Sequence, residues 1–468
     1  MNLERNETNT LNKQEKKEAG KRFVKLVYTG ISVTLAFISA AALWYYNVGV
    51  GWDEGYFGYR TLFAVGVMFS VLYYIFARMY HALKIGLYRL WELTFSQMLS
   101  YSIADIVLYT AAFFWFHDFT RIKFELFFIG FLLQFFCITA VIFVLNRVYA
   151  ALDEPRRMLI IYGSPDYKLL VEKMEEMPYR YRIVKCLPET AKLSEIYRIL
   201  DSCKDVYLYN VKDELKNKLI VFCDIHGKDI HLSMELTDLL TLNHEISHTF
   251  DTPYLRNRKS PVKWYYPGIK RLFDILLSLI GLVVLSPIFL ITALCIHFTD
   301  GGPVFYRQKR LTTGGRVFDI LKFRSMRVDA EAGQGARLSS EHDDRITPVG
   351  QVIRKCRIDE LPQLCNILKG DMSIVGPRPE RPEIATLYEE ELPEFRLRLK
   401  VKAGLTGYAQ VYGRYNTTPQ DKLKLDLIYI AQRSLLFDIK LIFYTVKIIF
   451  IPESTQGIAD DQTTALKK

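Results

Sequence analysis

Four long apolar stretches in the first third of the sequence constrain the fold more than any other feature. Each is about long enough to cross ~30 Å of hydrocarbon as a helix. A long polar leader precedes the first stretch and no small-residue cleavage site follows it, so a cleaved signal is not expected. The stretches lie at residues 25–47, 59–80, 95–117 and 122–146. We therefore predict a four-helix transmembrane domain over residues 25–150, after a polar N-terminus at residues 1–24.

Basic residues predict how these helices are oriented. Lysine and arginine are concentrated before the first stretch and after the fourth, whereas the first loop carries Asp53 and Glu54. Because loops on the cytoplasmic side of a membrane are enriched in Lys and Arg, both ends of the block are expected on that side. The residues that follow this domain should therefore lie in the cytoplasm.

Composition excludes several classes of protein. Half of the 468 residues are hydrophobic and 14% are aromatic, which excludes a disordered or fibrous chain and is too apolar for an ordinary soluble enzyme. The net charge of +10 could by itself indicate a nucleic acid, an anionic membrane face or a phosphorylated substrate, and the position of the charge has to decide among them. We expect no nucleic-acid partner. The seven cysteines are odd in number and include no Cys-x-x-Cys, so we expect reduced packing residues without a disulfide framework or a zinc site.

A fifth apolar run, at residues 272–298, has basic residues on both sides and a Ser286-Pro287 pair at its centre. Positive charge at both ends argues against a crossing, and proline inside a helix removes a backbone hydrogen bond and bends the chain. We predict a re-entrant helix over residues 269–299 that enters the inner leaflet, bends at Ser286 and Pro287, and returns to the same side. The alternative is a spanning helix with an ordinary proline kink.

Short strand-like runs alternate with charged helical segments in the middle of the chain. The runs lie at residues 158–162, 181–184 and 206–209. This alternation is typical of a parallel sheet covered by helices, so we predict a Rossmann-like α/β domain over residues 151–251. Only Gly163 follows the first run where a dinucleotide site needs three glycines, so the expected domain is degenerate and its role is structural or regulatory.

The sequence His-Glu-Ile-Ser-His at residues 244–248 matches the H-E-x-x-H pattern of zinc proteases. On a helix, both imidazoles would share one face, with Glu245 placed to activate a zinc-bound water. A zinc protease also needs a third ligand, and no Gly-x-x-His extension follows, so we interpret the segment as a polar helix or loop. Residues 252–268 are rich in proline, tyrosine and basic residues and are expected to form a linker against an anionic membrane face.

Cations interleaved with glycine and aromatic residues follow the expected re-entrant helix. Such a strip next to a membrane can hold phosphate groups, or it can form a solvated basic face against lipid head groups. The candidate phosphate ligands are Lys309, Arg310, Lys322 and Arg324.

The sharpest signal is the run Asp359-Glu360-Leu361-Pro362. Proline is tolerated only in a first helical turn, so a helix should start near Asp359 and place its N-terminal amides beside two carboxylates. Acidic residues are also common as plain helix caps. Downstream, Gly376-Pro377-Arg378-Pro379 stiffens the backbone and presents a guanidinium that can grip a phosphate. Together these features predict phosphate chemistry at a membrane surface.

Residues from about 270 to 450 resemble the monotopic bacterial sugar transferases, the polyprenyl-phosphate hexose-1-phosphate transferases, and the upstream domains resemble the long form of that family. The shared motifs are Lys270-Arg271-Leu272-Phe273-Asp274, Ser286-Pro287, Lys322-Phe323-Arg324-Ser325-Met326, Asp359-Glu360-Leu361-Pro362-Gln363, Gly376-Pro377-Arg378-Pro379 and Gly404-Leu405-Thr406-Gly407-Tyr408-Ala409-Gln410. The resemblance implies a mainly α-helical monotopic catalytic domain over residues 300–452, on the cytoplasmic side of the bacterial inner membrane, and a polar tail at residues 453–468.

The resemblance also implies a two-step reaction. Asp359 would attack the β-phosphate of a UDP-sugar, expel UMP and hold the sugar phosphate covalently, and undecaprenyl phosphate would then take the sugar phosphate. Glu360 would bind Mg²⁺, and Arg378, held between Pro377 and Pro379, would bind the donor phosphate or nucleotide. Such a step would start the synthesis of a capsule, an exopolysaccharide or another glycoconjugate.

Several alternatives stay open at the level of sequence. A membrane scaffold or regulator with an inactive transferase domain would have the same architecture, although intact Asp359, Glu360 and Arg378 favour the enzyme. The resemblance favours glucose or galactose as the sugar, while N-acetylated sugars and a homodimer through the α/β domain or the four helices are open. Arg357 stands where a small hydroxyl residue is frequent in the family. Residues 435–451 are expected to form an interfacial helix, with a packing helix of the catalytic domain as the alternative.

Overall fold

The computed structural model of the chain describes residues 2–46, 59–116, 124–152, 155–178, 180–242, 244–256, 263–327, 345–413 and 417–449. The chain divides into two compact units, residues 1–234 and 235–468. The first contains long helices and a parallel sheet. The second contains a bent pair of helices and a mainly helical domain with small sheets.

The first unit begins with four long helices at the places expected from the apolar stretches. They are α1 Asn2–Trp44, α2 Tyr59–Met79, α3 Leu90–Phe116 and α4 Phe124–Leu152. Within the described residues, three segments are long and apolar enough to cross a membrane, namely Lys16–Trp44, Tyr59–Met79 and Phe128–Leu152. Membrane association through three helices is therefore supported, and a crossing by α3 stays a prediction.

Buried polar and aromatic side chains join these helices. Gln97 on α3 donates hydrogen bonds from Nε2 to the Tyr28 hydroxyl at 2.6 Å and to the Ala82 carbonyl at 3.1 Å, and its Oε1 accepts one from Tyr73. Tyr101 stacks on Tyr73 with 4.5 Å between ring centroids. Because an unpaired polar group is costly in an apolar bundle, this network fixes the register of α1, α2 and α3.

A parallel sheet of four strands follows α4, one strand more than the sequence runs predict. Its strands are β1 Arg156–Tyr162, β2 Tyr181–Pro188, β3 Asp205–Tyr209 and β4 Asp229–Leu232, in the order β2-β1-β3-β4. The helices between them are α5 Tyr167–Glu175, α6 Leu193–Ser202 and α7 Asp213–Ile225. The α/β fold is confirmed. The fourth strand was missed because its Asp-Ile-His-Leu sequence is short and half polar, and pairing with β3 makes it a strand.

The carboxyl ends of β1 and β3 meet where the strand order reverses, which is the place where open α/β sheets bind nucleotides. In this chain, the carboxylate of Glu189 lies at that position. Glu189 Oε2 accepts a hydrogen bond from the Lys212 amide at 3.1 Å, beside Gly163. A side chain at Gly163 would collide with the Asn210 carbonyl. A carboxylate of the chain thus lies at the N-terminus of α7, where nucleotide-binding sheets place a phosphate.

The second unit begins with helix α8 Leu236–Thr241 and an antiparallel hairpin of β5 Glu245–Thr249 and β6 Thr252–Arg256. The expectation of a polar helix or loop at residues 244–248 is wrong, because pairing with β6 makes most of this segment a strand. A turn at Phe250, with φ of 55°, reverses the chain between the two strands.

The hairpin also changes two other expectations. Four positions along a strand span ~13 Å, so the two histidines of the H-E-x-x-H match cannot share a helix face and bind one metal. Among the residues that the structure describes, no group of three His, Cys, Asp or Glu side chains is placed to hold a metal ion. Residues 252–256, at the start of the expected linker, are part of β6.

Helices α9 Tyr266–Val284 and α10 Ser286–Asp300 meet at a bend of 61°, at the Ser286-Pro287 pair expected from the sequence. Pro287 lies in the first turn of α10, where a missing N–H is tolerated, and Ser286 Oγ donates to the Val283 carbonyl at 2.8 Å. Such a pair is either a broken span or a re-entrant loop. The position of the break is confirmed, and the re-entrant path stays a prediction.

The rest of the second unit surrounds one apolar core with short helices and two small sheets. The antiparallel pair is β7 Phe305–Leu311 and β8 Val317–Phe323, and the parallel pair is β9 Met372–Val375 and β10 Ala403–Thr406. The helices are α11 Pro348–Lys355, α12 Gln363–Lys369, α13 Pro382–Glu391, α14 Tyr408–Tyr412, α15 Pro419–Gln432 and α16 Leu435–Ile449, with 3-10 helices at Thr313–Gly315, Ile358–Glu360 and Pro393–Lys400. Ile367, Met372, Phe395 and Leu441 are buried in this core.

The last helix, α16, packs on the core of the second unit. Asp438 and Leu441 are buried three residues apart, whereas Leu436 is 80% exposed. Lys270 Nζ and the Tyr266 hydroxyl, both on α9, donate to Asp438 Oδ2 at 2.7 and 2.8 Å. These contacts favour the packing helix over the expected interfacial helix, and α16 anchors the first turns of the bent pair.

Candidate functional site

The Asp-Glu pair lies on the short 3-10 helix Ile358–Glu360, between α11 and α12. Arg357 precedes it with φ of 53°, in the left-handed region, and turns the chain after α11. Pro362 directly precedes α12, whose first residue is Gln363. The helix start expected near Asp359 is thus observed as a 3-10 turn that leads into α12.

The two helices of the bent pair contact α12 and the 3-10 helix that carries the two carboxyls. Arg271 on α9 donates from Nη1 and Nη2 to the carbonyls of Ile367 and Leu368 at 2.6 and 2.7 Å, which caps the C-terminus of α12. Ile296 on α10 lies in an apolar cluster against which Ile358 packs. The carboxyl pair is therefore built directly against the bent helices.

Glu360 is buried among three cationic side chains. Arg378 Nη2 donates to Glu360 Oε1 at 2.6 Å, and Arg378 Nη1 lies 3.5 Å from Oε2. Lys322 Nζ and Arg357 Nη1 lie 3.7 and 3.9 Å from the carboxylate. Burial alone would raise the pKa of Glu360, but the attraction of the three cations outweighs burial and holds the pKa well below its usual range. Glu360 therefore stays ionised and gathers the cations.

Asp359 stands next to this cluster in a different environment. It forms no hydrogen bond or ion pair with any other residue in the part of the chain that the structure describes. Burial, and after it the charge of Glu360, raises the pKa of Asp359, although Lys322, Arg354 and Arg378 act in the opposite direction. Adjacent carboxyls whose pKa values are pushed apart are typical of active sites with divided roles. Glu360 is committed to the cations, whereas Asp359 is available for chemistry.

One face of the β7/β8 pair brings cations toward the carboxyls. Tyr306 pairs with Lys322 across the strands, so the alternate residues Gln308 and Arg310 project from the same face as Lys322. Arg310 Nη2 donates to Gln308 Oε1 at 2.6 Å. Burial lowers the pKa of Arg310 to about 10. Lys322 is thereby held beside the acidic pair, and Arg310 lies farther along the same face.

Two of the predicted phosphate ligands lie away from this face of the strands. Lys309 is exposed on the other face of β7, where it pairs with Asp319. Arg324 follows β8 and is 6% exposed, with its guanidinium so close to Gly302 that a side chain at Gly302 would collide with it. Because alternate residues of a strand face opposite sides, a basic strip read along the sequence overcounts the cations of one site.

Arg378 reaches the site from a stiff turn between β9 and α13. Pro377 and Pro379 restrict the backbone on either side of it, as the sequence predicts. Gly376 approaches the start of β10 so closely that a side chain there would collide with the backbone. The attraction of Glu360 raises the pKa of Arg378, so this guanidinium stays charged.

A second buried charge cluster supports that turn from behind. Arg398 donates from Nε to Asp426 Oδ2 at 2.9 Å and from Nη1 to Glu380 Oε1 at 3.3 Å, and Lys422 forms a further ion pair with Glu380. Burial opposes ionisation of Glu380, but Lys422 and Arg398 outweigh burial and lower its pKa to about 2. Sequence reasoning missed these four residues. The available signal was Asp426 inside the apolar segment 425–430, since a charge at a core position needs a partner.

The arrangement suits the binding of a phosphorylated substrate. Lys322, Arg357 and Arg378 carry three positive charges against the single charge of Glu360, which leaves a surplus of positive charge beside Asp359. The Arg378 side chain is 36% exposed, and its planar guanidinium matches the geometry of a phosphate. Phosphoryl transfer needs in-line placement and charge neutralisation more than a strong base. An available carboxylate beside surplus cations meets these needs.

The Mg²⁺ that the resemblance implies at Glu360 does not fit the residues around that carboxyl. Both oxygens face Arg378, and Lys322 and Arg357 lie at 3.7 and 3.9 Å. Mg²⁺ is usually held by one or two carboxylates, waters and substrate phosphates, and three cations at this distance would repel it. The reaction is therefore derived from the chain's own residues, and the magnesium requirement stays a prediction.

The part of the chain that carries this site is similar to known proteins. The family model described as bacterial sugar transferase matches residues 265–452, which include the bent helices, both carboxyls and the Arg378 turn. The exopolysaccharide production protein PSS of Rhizobium leguminosarum bv. phaseoli is 38% identical over 197 residues. This match covers 40% of the present chain and 96% of that relative.

Two further relatives carry more specific names. The UDP-N-acetylgalactosamine-undecaprenyl-phosphate N-acetylgalactosaminephosphotransferase of Aeromonas hydrophila is 37% identical over 235 residues, covering 50% of the present chain and 55% of the relative. The UDP-glucose:undecaprenyl-phosphate glucose-1-phosphate transferase of Xanthomonas campestris pv. campestris is 37% identical over 241 residues, covering 50% of each chain. The present chain thus spans about half the length of these curated relatives.

Proposed function

The chain belongs to the bacterial sugar transferase family, and we propose that it transfers a sugar 1-phosphate from a UDP-sugar to undecaprenyl phosphate with release of UMP. One observation carries the proposal: Glu360 forms ion pairs with three cations, whereas the Asp359 carboxyl forms no hydrogen bond or ion pair with any other described residue. The names of the Aeromonas and Xanthomonas relatives support this reaction class. The product, an undecaprenyl-diphosphate sugar, would be the first lipid-linked intermediate of a capsule, an exopolysaccharide or another glycoconjugate.

In the first step the Asp359 carboxylate attacks the β-phosphorus of the UDP-sugar. A bond forms between Asp359 Oδ and that phosphorus, the bond to the bridging oxygen breaks, and UMP leaves with the bonding electron pair. A carboxylate needs no general base, because it attacks in its ionised form. The sugar phosphate is left on Asp359 as an acyl phosphate.

In the second step a phosphate oxygen of undecaprenyl phosphate attacks the same phosphorus. The acyl-phosphate bond breaks and returns Asp359 as a carboxylate, while the sugar phosphate becomes part of a lipid diphosphate. Arg378, Lys322 and Arg357 neutralise the negative charge that each step brings together. The same three cations therefore serve both displacements.

The bent helices account for the meeting of a water-soluble donor with a lipid acceptor. Through Arg271 and Ile296 they contact α12 and Ile358, so the carboxyl pair lies against apolar helices. With a re-entrant path, these helices would hold Asp359 at the depth of the lipid phosphate, on the cytoplasmic side of the inner membrane. Neither substrate would then have to leave its own phase.

The proposal is tested by UMP release from the detergent-purified full chain with undecaprenyl phosphate, Mg²⁺ and a panel of UDP-sugars. The panel contains UDP-glucose and UDP-N-acetylgalactosamine, because the relatives are named for these sugars, and UDP-galactose, which the resemblance also favours. UMP release with one donor that depends on added lipid would support the transferase and identify its sugar. No release with any donor would favour an inactive scaffold. Omission of Mg²⁺ tests the predicted metal requirement.

Replacing Arg354 with glutamine is expected to shift the acid limb of the pH–rate profile to higher pH. Asp359 reacts as a carboxylate, and the charge of Arg354 lowers its pKa. Removing that charge raises the pKa of Asp359, so activity falls at low pH and is retained at high pH. The measurement is kcat/KM against pH, with Lys355→Gln as the exposed neighbouring control. A uniform loss at every pH would contradict this role of Asp359.

Replacing Ser286 and Pro287 with leucine is expected to straighten the break between α9 and α10 and favour a spanning helix. Leucine supplies the backbone donor that proline lacks and has a higher helix propensity. The exposed Cys356 should then lose its reactivity toward a membrane-impermeant thiol reagent applied to the cytoplasmic side. Thr299→Leu, an exposed position of α10 away from the break, is the control. Unchanged labelling of Cys356 would count against the re-entrant path.

A further inference from the structure

The backbone of the turn at residues 376–380 is held by a continuous series of hydrogen bonds. Pro377 and Pro379 have no N–H, so the turn is fixed mainly through its carbonyl groups. Four successive carbonyls accept hydrogen bonds from three different parts of the second unit. At the two ends of the series, Gly404 N–H donates to the Pro377 carbonyl at 2.8 Å and Leu311 N–H donates to the Glu380 carbonyl at 3.0 Å. Between them, Arg398 Nη2 donates to the Arg378 carbonyl at 2.8 Å and Arg310 Nη1 donates to the Pro379 carbonyl at 3.1 Å.

Arg398 is the central donor of this series. Its side chain is 3% exposed and lies in the 3-10 helix Pro393–Lys400. Besides the Arg378 carbonyl, it binds Asp426 Oδ2 through Nε and Glu380 Oε1 through Nη1. One planar guanidinium thus joins α15, the end of the turn and the carbonyl at the centre of the turn. A lysine ammonium cannot reproduce this planar set of donors.

We propose that Arg398 is a positioning residue, which fixes the Arg378 guanidinium toward the donor phosphate without itself touching substrate. The inference rests on the proposed function. It gives Arg310 the same supporting role, in place of the phosphate-binding role expected from the sequence, because both terminal nitrogens of Arg310 already donate to the Pro379 carbonyl and to Gln308.

The support matters because Arg378 is a long side chain at a partly open position. Its guanidinium reaches Glu360 at 2.6 Å, although 36% of the side chain is exposed. A mobile backbone under this side chain would displace the guanidinium from the donor, and displacements of about 1 Å can cost ~100-fold in rate. Four anchored carbonyls hold Arg378 in place before the substrate arrives.

The test uses the full-length protein with Arg398→Lys, which keeps the charge and loses the planar fork. We expect a donor KM raised about tenfold, a kcat/KM for the UDP-sugar lowered roughly 100-fold, and an unchanged KM for undecaprenyl phosphate. Arg396→Lys is the matched control, because Arg396 is an exposed arginine on the same 3-10 helix, and it should behave as the wild type.

Amide hydrogen exchange provides a readout that does not depend on catalysis. The N–H groups of Leu311 and Gly404 donate to the two ends of the turn, so they should exchange faster in Arg398→Lys and not in Arg396→Lys. Unchanged exchange of both amides would overturn the proposal. A lower kcat with an unchanged donor KM would also overturn it, because a guanidinium that is no longer fixed toward the donor phosphate should raise the donor KM.

Failure of the proposed function would give a different result. If the wild type releases no UMP with any donor, the transferase assignment fails, and amide exchange alone then decides whether Arg398 anchors the turn. If Arg398→Lys does not fold, Asp426→Asn is the second variant, because it loosens Arg398 and leaves the donor to the Arg378 carbonyl in place. A smaller rise in the donor KM is expected for Asp426→Asn, and no rise would overturn the proposal.

Discussion

Replacing Asp359 with asparagine is expected to reduce UMP release by roughly 10⁴-fold or more. An amide carries no negative charge to attack phosphorus and cannot form an acyl phosphate. Because Asp359 makes no hydrogen bond or ion pair with other described residues, the folded state loses no contact there. The thermal unfolding temperature should therefore not fall, and it should rise slightly, because the raised pKa of Asp359 means that its ionised carboxylate opposes folding at neutral pH. UMP release and thermal unfolding of the same preparation measure both effects.

Asp319→Asn is the matched control for this change. Asp319 is an exposed aspartate of β8 whose partner across the strands, Lys309, lies on the face away from the carboxyl pair. The control should release UMP at the wild-type rate. Substantial activity in Asp359→Asn, or a loss of activity only in proportion to lost folding, would remove Asp359 from the role of nucleophile.

Replacing Glu360 with glutamine is expected to impair both activity and stability. Arg378, Lys322 and Arg357 would lose their counter-charge in a largely buried cluster. Removing one partner of a buried ion pair costs ~3–5 kcal/mol, and the lower figure applies here because the Arg378 side chain is 36% exposed. With Arg378 no longer held in place, UMP release should fall by about 100-fold. A lower unfolding temperature should accompany this loss.

The double variant with Glu360→Gln and Arg378→Met separates the two effects. It removes one charge of each sign, so the net charge of the cluster returns to its native value. We expect it to regain much of the stability lost in Glu360→Gln and none of the activity, because the guanidinium is gone. Native stability in Glu360→Gln alone, or activity regained in the double variant, would contradict the role of this ion pair.

The parts of the fold that local physics dictates could be predicted from the sequence. All four apolar stretches are helical, as expected for segments that would have to satisfy their own backbone hydrogen bonds in hydrocarbon, and three of them are candidate spans. The break at Ser286 and Pro287 follows from the missing N–H of proline. The prediction of a polar helix or loop at residues 244–248 was wrong because the structure of this segment depends on residues outside it. Its strand depends on pairing with β6, and neither sequence alone specifies that pairing.

For the candidate site, too, some features could be predicted from the sequence and others could not. Asp359, Glu360 and Arg378 could be predicted because prolines beside them fix the local backbone. Their opposite electrostatic environments could not, because the cations around Glu360 come from β8, the turn after α11 and the turn after β9. The prediction that Lys309 belongs to the same basic site is not supported, because the alternation of side chains along β7 places Lys309 on the face opposite to Arg310 and Lys322.

The division between the two carboxyls is tested most directly by the covalent intermediate. The wild-type protein is incubated with its UDP-sugar donor in the absence of undecaprenyl phosphate. The reaction is then quenched, the protein is digested, and the mass of the peptide that contains Asp359 is measured by mass spectrometry. We predict the added mass of one sugar phosphate on Asp359, its disappearance when undecaprenyl phosphate is supplied, and its absence in Asp359→Asn. UMP release without any adduct, or an adduct on another residue, would contradict the proposed mechanism.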